Sequence, residues 1–590
     1  MSRIQLINTN STKYLHPGDV IEGICADDLR GVKVLVINLP IREQATPNNP
    51  PLGPAFLIAR LKQYGVETKM IDLNAYRIKD KLAEQRGLLN GRVLTTDETE
   101  KMLSDFFSKY GEYDLIALSG LITTLSWQQQ VASIVRKMLP AALIATGGGL
   151  ATEFREILFK WIPELNGIAH SEGEDVIIKM AYDANLIKRK GRKSAINSGK
   201  LAPYLIGEYN NEPRFQYDGD RPRDLDNLAL PDWSSLEEDV YGNNVLEWYI
   251  NTPVWGTDAN NSSGTSFTMN RSLSMISSRG CPFACKFCFR GAQGERNYGV
   301  RSAESMIAEF KHIHNTYNID FVAILDDNFM VQPKRIIDLA EKIQPFLLES
   351  GMRWGTHGRL DEAADLRPGN KSREQTKNKI LRVEEMKKAG CAYIGFGAES
   401  ASSRVLDEMG KGGFILSNGV SKVNDFEFPV TMLEGVKNTW NAGIHANCTW
   451  IMGYPTETLK DLKTTVAFIK WQEELYTKGV STGTEEYKNL YDSVNKHLFV
   501  ASAYPGTEMF KLPTVQRKLT EAFGVQFDKV TKQPIPDQSF YKYVTELDDA
   551  TKVISGDGGV LNYSDMDDET FFQARKHIED GNIEKVLDMP

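Results

Sequence analysis

Short apolar runs alternate with helical stretches in two blocks of this chain, and this alternation constrains the fold more tightly than any other feature. The first block opens with the strand KVLVINLP (33–40), the helix PAFLIARLKQYG (54–65) and the strand VETKMIDL (66–73). The cycle continues to about residue 190. Because strands that alternate with helices form a parallel sheet covered on both faces, we predict a doubly wound α/β domain, Rossmann or flavodoxin-like, over 32–190.

A second block of alternation begins near residue 271 and contains six strand–helix cycles. Its predicted strands are SLSMISS (272–278), DFVAILDD (320–327), RWGTHGRLD (353–361), AYIGFGAES (392–400), HANCTWIMGYP (445–455) and HLFVASAYPG (497–506). A closed barrel of this kind needs eight cycles. The count therefore predicts a partial (β/α)6 barrel over 271–510, with its site at the carboxyl ends of the strands.

Three further segments lie outside the two blocks. Residues 1–31 form an N-terminal extension, and 191–270 is predicted to be a linker and irregular segment, because stretches such as GDRPRDLDNLALPDW have no helical or strand period. Residues 511–590 are expected to form a C-terminal region that caps the barrel.

Composition and charge favour an ordinary cytoplasmic enzyme. Of the 590 residues, 41% are hydrophobic, and the formal net charge is −9. Interspersed acidic and basic residues leave no basic patch for a nucleic-acid backbone, so we expect no nucleic-acid partner. The first residues lack a signal-peptide pattern, and no apolar run approaches the ~18–20 residues that a membrane span requires. We therefore expect a cytoplasmic protein without a membrane span.

Three of the six cysteines lie on the loop after the first barrel strand, in the spacing C-x3-C-x2-C: Cys281, Cys285 and Cys288. A structural zinc site normally takes four ligands in paired spacings, which neither Cys391 nor Cys448 supplies, so zinc fits poorly. Three thiolates on one loop can hold three irons of a [4Fe–4S] cluster and leave the fourth iron open. We predict this cluster, with the open position on the substrate side of the chemistry.

With Phe287 before the last cysteine, this spacing resembles the signature of radical S-adenosylmethionine enzymes, and the six cycles are similar to that family's partial barrel. The resemblance covers about 271–575. It implies that S-adenosylmethionine chelates the open iron and is cleaved to a 5′-deoxyadenosyl radical, which abstracts hydrogen from an unactivated carbon. It also implies an electron donor such as flavodoxin or ferredoxin.

The same resemblance implies residues that contact S-adenosylmethionine. Asp326 and Asp327 end the second strand, where the family contacts the methionyl amino group, although the family's G-G-E is D-D-N here. Arg359, after the third strand, is expected to meet the methionyl carboxylate. Ribose and adenine are assigned to the ends of the fourth and fifth strands, at Glu399, Ser400 and Gly453.

Structural alternatives stay open for several of these residues. Asp326 and Asp327 could cap the next turn, since Asp is a preferred capping residue. Glu399 is harder to explain structurally, because a buried carboxylate without a charged partner is costly. Tyr504 ends the sixth strand, where it is expected to face the substrate or to pack in the core.

The first domain resembles the cobalamin-binding domain that precedes the barrel in one subclass of these enzymes. The resemblance implies cobalamin contacts in four loops, at Pro51, Leu52, Gly53, Ser119, Gly120, Thr123, Gly147, Gly148, Gly149, Glu172, Gly173 and Glu174. The D-x-H-x-x-G loop of methionine-synthase-like domains is absent, and no histidine lies between 17 and 169. Cobalt should therefore have no histidine ligand from this domain, and His170 is expected to be a packed or surface residue.

Taken together, the resemblances imply a cobalamin-dependent radical S-adenosylmethionine methyltransferase. It would methylate an unactivated carbon, or less often phosphorus, centre of a small-molecule, lipid or peptide substrate. A second hypothesis is a non-methylating enzyme that performs cyclisation, ring contraction or oxidation with the same cofactors. A third is a non-catalytic cobalamin sensor or carrier with a decayed barrel, against which the intact cysteines count.

Overall fold

The computed structural model describes residues 23–41, 47–78, 94–198, 200–201, 204–205, 214–219, 225–252, 269–289, 298–366, 381–547 and 561–590. Its contacts divide the chain into two units. The first comprises Met1–Tyr249, Gly291–Glu295 and Phe523–Asp549. The second comprises Ile250–Arg290, Arg296–Ala522 and Ala550–Pro590.

The first unit contains a seven-stranded, mainly parallel sheet. Its strands are β1 (Lys33–Asn38), β2 (Glu67–Asp72), β3 (Leu115–Gly120), β4 (Leu143–Gly148), β5 (Gly167–Ser171), β6 (Tyr204–Leu205) and β7 (Arg214–Gly219). They lie in the order β2-β1-β3-β4-β5-β7-β6, and among the described strands of this sheet only the β6–β7 pair is antiparallel. The order 2-1-3-4-5 is flavodoxin-like, and it puts the ligand-binding crevice where the order reverses, at β1 and β3. The predicted fold class of this unit is confirmed.

Helices cover both faces of this sheet, as its apolar strands require. They are α1 (Leu52–Gln63), α2 (Thr96–Tyr110), α3 (Leu125–Met138), α4 (Gly149–Phe154), α5 (Leu158–Trp161), α6 (Glu174–Lys190), α7 (Arg192–Asn197), α8 (Ser234–Glu237) and α9 (Val245–Ile250). Residues 34–37 of β1 are fully buried, which is typical of a parallel strand with both faces covered. Helix α2 begins where Thr95 and Glu98 form a capping box.

The second unit contains six parallel strands, each from one predicted cycle. They are β8 (Ser272–Met275), β11 (Phe321–Ile324), β12 (Arg353–Gly358), β13 (Cys391–Glu399), β16 (His445–Met452) and β17 (Leu498–Val500). The sheet runs in chain order from β8 to β17, which confirms the partial (β/α)6 barrel. Two antiparallel pairs lie outside it: β9 (Ser278–Arg279) with β10 (Gly299–Val300), and β14 (Val420–Val423) with β15 (Phe426–Pro429).

The remaining helices follow the barrel strands, and all but one of them lie in the second unit. They are α10 (Ala303–Tyr317), α11 (Pro333–Ser350), α12 (Leu360–Ala364), α13 (Arg382–Lys388), α14 (Ser403–Glu408), α15 (Gly412–Leu416), α16 (Val430–Asn441), α17 (Leu459–Thr477), α18 (Glu485–Asp492), α19 (Pro513–Phe523), α20 (Gln538–Glu546), α21 (Asp568–Glu579) and α22 (Lys585–Asp588). Helix α20 is the one in the first unit. In the part of the chain that the structure describes, no helix is both long and apolar enough to cross a membrane.

Two features of this division differ from the segments predicted from the sequence. The segment 191–270, expected to be irregular, contributes β6 and β7 to the first sheet. Strand β7, RFQYDG, alternates polar and aromatic residues over only four positions, a pattern too short to stand out from the polar residues that surround it. The region 511–590, expected to cap the barrel as one piece, is divided: residues 523–549 belong to the first unit.

Candidate functional site

The cysteine loop is fixed to two other loops at the carboxyl end of the barrel. The backbone N–H of Lys286 donates to the carbonyl of Met409, at 2.8 Å, just after α14. The carbonyl of Lys286 accepts from the N–H of Met509, at 2.7 Å, in the segment after β17. These two bonds hold the centre of the three-cysteine loop against the loops that follow the fourth and sixth barrel strands.

The environment of the thiols favours a thiolate at Cys285. A hydrogen bond with Cys288, helped by the positive charges of Lys411 and Arg359, lowers the pKa of Cys285 to about 6. The same bond raises the pKa of Cys288, and burial raises the pKa of Cys281. Because the thiolate is the form that binds metal, the cations beside Cys285 favour metal binding by this thiol.

The three thiols lie on one loop, an arrangement that the ligands of a [4Fe–4S] cluster can have. In the described ranges, no group of three or more His, Cys, Asp or Glu side chains is arranged to hold one metal ion. A [4Fe–4S] cluster binds thiolates through separate irons, so its ligands need not converge on one point. Three cysteines on one pinned loop, with cations beside them, therefore fit the predicted cluster.

Arg359 lies against the cysteine loop. Its Nη1 is 3.8 Å from the Cys285 sulfur, and its guanidinium lies 4.0 Å from the Phe283 ring centroid. Asp361 accepts from its Nε at 2.9 Å, and the carbonyl of Lys411 accepts from its Nη2 at 3.4 Å. Arg359 is buried by these contacts. Its predicted contact with the methionyl carboxylate stays a prediction.

Glu399 has a cationic partner that the sequence analysis missed. The Lys411 ammonium donates to Glu399 Oε1 at 2.8 Å, and both side chains are about nine-tenths buried. Lys411 Nζ also lies 5.9 Å from the ring centroid of Phe287. Burial of an unpaired carboxylate costs free energy, so a cationic partner for Glu399 was to be expected. The sequence signal that could have identified Lys411 as this partner was its position among glycines, in EMGKGG (408–413).

Asp326 supports the loop that leads to the cysteines. Its carboxylate accepts from the backbone N–H groups of Ser277 and Ser278, at 2.7 and 2.9 Å, and from both hydroxyls at 2.6 Å. Asp326 is fully buried, whereas Asp327 is exposed and close enough to Cys281 to act on its pKa. The two neighbouring aspartates therefore have different surroundings, and only Asp327 faces open space.

The ends of the fourth, fifth and sixth strands carry the remaining predicted residues. Ser400 is buried and shares a hydrogen bond of 3.2 Å with Thr465. The N–H of Gly453 donates to Glu457 Oε2 at 2.6 Å, and burial raises the pKa of Glu457 to about 8. Tyr504 is half-buried and lies four residues beyond β17. Glu457 is a second residue that the sequence analysis missed.

In the first unit, the loops after β3 and β4 approach each other through their glycines. Gly148 has a positive φ of 88°, and a Cβ atom there would overlap the carbonyl oxygen of Gly120. A Cβ at Gly120 would overlap Thr124. Beside them lie the exposed side chain of Leu121 and the buried hydroxyl of Thr123, which has no hydrogen-bond partner in the structure. This glycine cradle lets the two loops pack backbone against backbone, and the exposed Leu121 side chain and the Thr123 hydroxyl beside it offer contacts to a ligand at the ends of the strands.

The other predicted cobalamin residues lie beside the same edge of the sheet. Ser119 and Gly147 face each other across β3 and β4; Gly149 begins α4; Pro51, Leu52 and Gly53 start α1; Glu172, Gly173 and Glu174 start α6. A buried ion pair of 2.9 Å between Arg60 and Asp175 ties α1 to α6. The structure therefore brings the four loops to the carboxyl ends of parallel strands.

His170 is held inside this unit by both ring nitrogens. Its Nδ1 is 2.5 Å from Asp218 Oδ1, on β7, and its Nε2 is 2.8 Å from Arg155 Nη2. The ring is buried, as expected of a packed histidine. Neither nitrogen is left over to coordinate a metal.

Comparison with known proteins finds one family model that matches part of the chain, and several relatives of similar sequence or fold. The family model of the radical SAM superfamily matches residues 275–469. An uncharacterized methyltransferase of Pyrococcus horikoshii is 24% identical over 489 residues, which cover 82% of this chain and 83% of the relative. The anaerobic magnesium-protoporphyrin IX monomethyl ester cyclase of Cereibacter sphaeroides is 23% identical over 368 residues, 61% of this chain and 50% of the cyclase.

Among solved structures, the chain is similar to the cobalamin-dependent S-adenosylmethionine radical enzyme OxsB, solved with aqua-cobalamin and S-adenosylmethionine bound. The TM-score is 0.56 at 17% identity, and the match covers 86% of this chain and 63% of OxsB. The chain thus spans half of the cyclase and less than two thirds of OxsB. The family match confirms the radical SAM resemblance over residues 275–469, and the likeness to OxsB confirms the predicted fold.

Proposed function

We propose that this chain, a radical S-adenosylmethionine protein by its residues 275–469, is a cobalamin-dependent methyltransferase that acts on an unactivated carbon or phosphorus centre. The observation that carries the proposal is the pinned three-cysteine loop, with Arg359 against Cys285 and the buried pair of Lys411 and Glu399 beside it. The methyltransferase name of the Pyrococcus relative supports methyl transfer as the reaction.

Three cofactors follow from this proposal, each with its own residues. Cys281, Cys285 and Cys288 would hold the [4Fe–4S] cluster, and the glycine cradle of the first unit, with its neighbouring loops, would hold cobalamin. S-adenosylmethionine would bind at the carboxyl end of the barrel. When bound, the cluster supplies one electron for cleavage of S-adenosylmethionine, and cobalamin supplies the methyl group.

Charges beside the cysteine loop match the methionyl part of S-adenosylmethionine. That part carries one ammonium and one carboxylate, whereas Glu399 and Lys411 neutralise each other, and Glu399 stays assigned to ribose and adenine. Arg359 would supply the cation for the carboxylate, and exposed Asp327 would supply the anion for the ammonium. Charge-assisted hydrogen bonds of this kind are stronger than neutral ones and fix orientation.

Other residues would shape the site without touching the reacting atoms. Asp326 fixes the segment that leads to the cysteines through four hydrogen bonds. Glu457 holds the backbone at Gly453, which is assigned to adenine and ribose. Tyr504, after the sixth strand, would face the substrate, which we take to be a small molecule, lipid or peptide. A flavodoxin or ferredoxin in the cytoplasm would supply electrons.

The test uses the full chain, reconstituted anaerobically with iron, sulfide and cobalamin and supplied with S-adenosylmethionine, a reductant and candidate substrate pools. Methyl transfer should produce S-adenosylhomocysteine and 5′-deoxyadenosine together with a product heavier by one methylene unit. The control, Cys285→Ala, should produce no 5′-deoxyadenosine. A wild-type protein that assembles no cluster absorbance under these conditions would contradict the proposal and favour the sensor or carrier hypothesis.

The similarity to the cyclase favours one second candidate, a non-methylating cobalamin-dependent reaction. This candidate shares every cofactor with the first. It is separated by the same assay, because cyclisation yields 5′-deoxyadenosine without S-adenosylhomocysteine.

A further inference from the structure

The C-terminal region returns one helix to the first unit. Helix α20 contacts residues Ile122–Thr124, in the loop after β3, and lies against α3. It also reaches the end of α4, the helix that begins at Gly149. The loop after β3 and helix α4, both of which α20 contacts, start at the glycine cradle. From the sequence, this segment was expected to cap the barrel as part of residues 511–590, not to join the first unit.

Aromatic packing fixes α20 in this position. The ring of Phe540 lies 6.0 Å from the rings of both Phe154, the last residue of α4, and Trp161, on α5. Tyr541 packs against the same Trp161 ring at 5.7 Å, with the planes at 64°. Phe540 is 3% exposed and Val544 is fully buried, so the helix is embedded in the unit rather than resting on its surface.

A polar bridge adds directional restraint to this packing. The side-chain amide of Gln129, on α3, donates to the carbonyl of Trp161 at 2.8 Å and to the Tyr541 hydroxyl at 2.6 Å. The hydroxyl lies 2.9 Å from Gln129 Oε1. One glutamine thereby links α3, α5 and α20. Helix α3 begins at Leu125, directly after the loop that contains Thr123 and Thr124.

We propose that α20 is a positioning element for cobalamin: it restrains the loops after β3 and β4 in the conformation that receives the cofactor. The inference rests on the proposed function, which assigns these loops to cobalamin. Ordering a free backbone costs about 1–2 kcal/mol per residue, and a loop that is already ordered avoids this cost when ligand binds. A segment more than 400 residues away in sequence from Gln129 would thus set how tightly the first unit holds its cofactor.

The test is an equilibrium titration of the full chain with aquacobalamin, followed by absorbance, for wild type and three variants. Phe540→Ala removes the aromatic contact, Tyr541→Phe removes only the hydroxyl, and Lys542→Ala, an exposed position on the same helix, is the matched control. We expect the dissociation constant to rise about tenfold in Phe540→Ala and about two- to tenfold in Tyr541→Phe, the range for one hydrogen bond. Lys542→Ala should equal wild type.

Two further measurements make the outcome unambiguous. Circular dichroism melting shows whether each variant folds, and Tyr541→Phe keeps the proposal testable if Phe540→Ala does not fold. Iron bound after reconstitution should be unchanged, because the cysteines lie in the other unit. If folded Tyr541→Phe and Phe540→Ala bind cobalamin as tightly as the control, the positioning role is wrong. If wild type itself binds no cobalamin, the proposed function fails, and the inference fails with it.

Discussion

Replacement of Lys411 by methionine should destabilise the barrel unit strongly, because it leaves the buried Glu399 carboxylate without its counter-charge. At the observed 2.8 Å, the attraction between the two charges is about 6 kcal/mol for an effective dielectric constant near 20. Desolvation offsets much of this, and removal of one partner of a buried pair typically costs about 3–5 kcal/mol. We expect Lys411→Met to lower the free energy of unfolding by that amount.

A double variant, which removes both charges, separates the contribution of the ion pair to stability from that of side-chain packing. Lys411→Met combined with Glu399→Gln removes both charges, so most of the lost stability should return. Lys437→Met is the matched control, since Lys437 forms a half-exposed pair of 3.3 Å with Glu434, worth under about 1 kcal/mol. Urea unfolding of the full chain without cofactors, followed by intrinsic fluorescence, measures all three. A Lys411→Met variant as stable as Lys437→Met would refute the reasoning.

Three more predictions follow from other parts of the structure. Cys285→Ala should abolish the absorbance of the reconstituted cluster and leave cobalamin binding unchanged; loss of both would contradict the assignment of the cofactors to separate units. Glu457→Gln should be more stable than the wild type at pH 8 but not at pH 5. The folded-state pKa of Glu457, about 8, exceeds the unfolded value, so the free energy of unfolding of the wild type falls by up to about 1.4 kcal/mol per pH unit from pH 4.5 to 8. Urea unfolding at several pH values would measure this fall. Gly148→Ala should cost more than about 2 kcal/mol and weaken cobalamin binding in a titration, because the added methyl group overlaps Gly120 and φ is positive; wild-type affinity would contradict the cradle.

The sequence was sufficient to predict those elements whose structure is determined by a local pattern. The apolar run at 34–37 is buried on both faces of its strand, so its sequence alone identifies it, and the same holds for the six barrel strands. The cysteine spacing likewise carries its chemistry within eight residues. Strand β7 was not predicted in this way, because its alternation of polar and aromatic residues spans only four positions and its pairing with β5 and β6 is not visible in the sequence.

The missed residues share a dependence on tertiary contacts. The sequence does not distinguish Lys411 from the other lysines, because only the folded loop after α14 brings it to Glu399. Glu457 acquires its raised pKa only because the surrounding segments bury it. The amphipathic pattern of α20 indicates a helix, but which unit it joins depends on aromatic partners such as Trp161, distant in sequence.

The position of α20 also determines when the first unit can finish folding. Gln129 and its partner Tyr541 are 412 residues apart, so a ribosome must translate the whole barrel before this contact can form. N-terminal domains usually fold during synthesis, and contacts between distant residues are slow to form because a long loop must close first. The sheet of the first unit can assemble early, but its helix α20 arrives only after the barrel strands have been translated. The emerging chain therefore exposes the apolar surface around Trp161 throughout synthesis of the barrel.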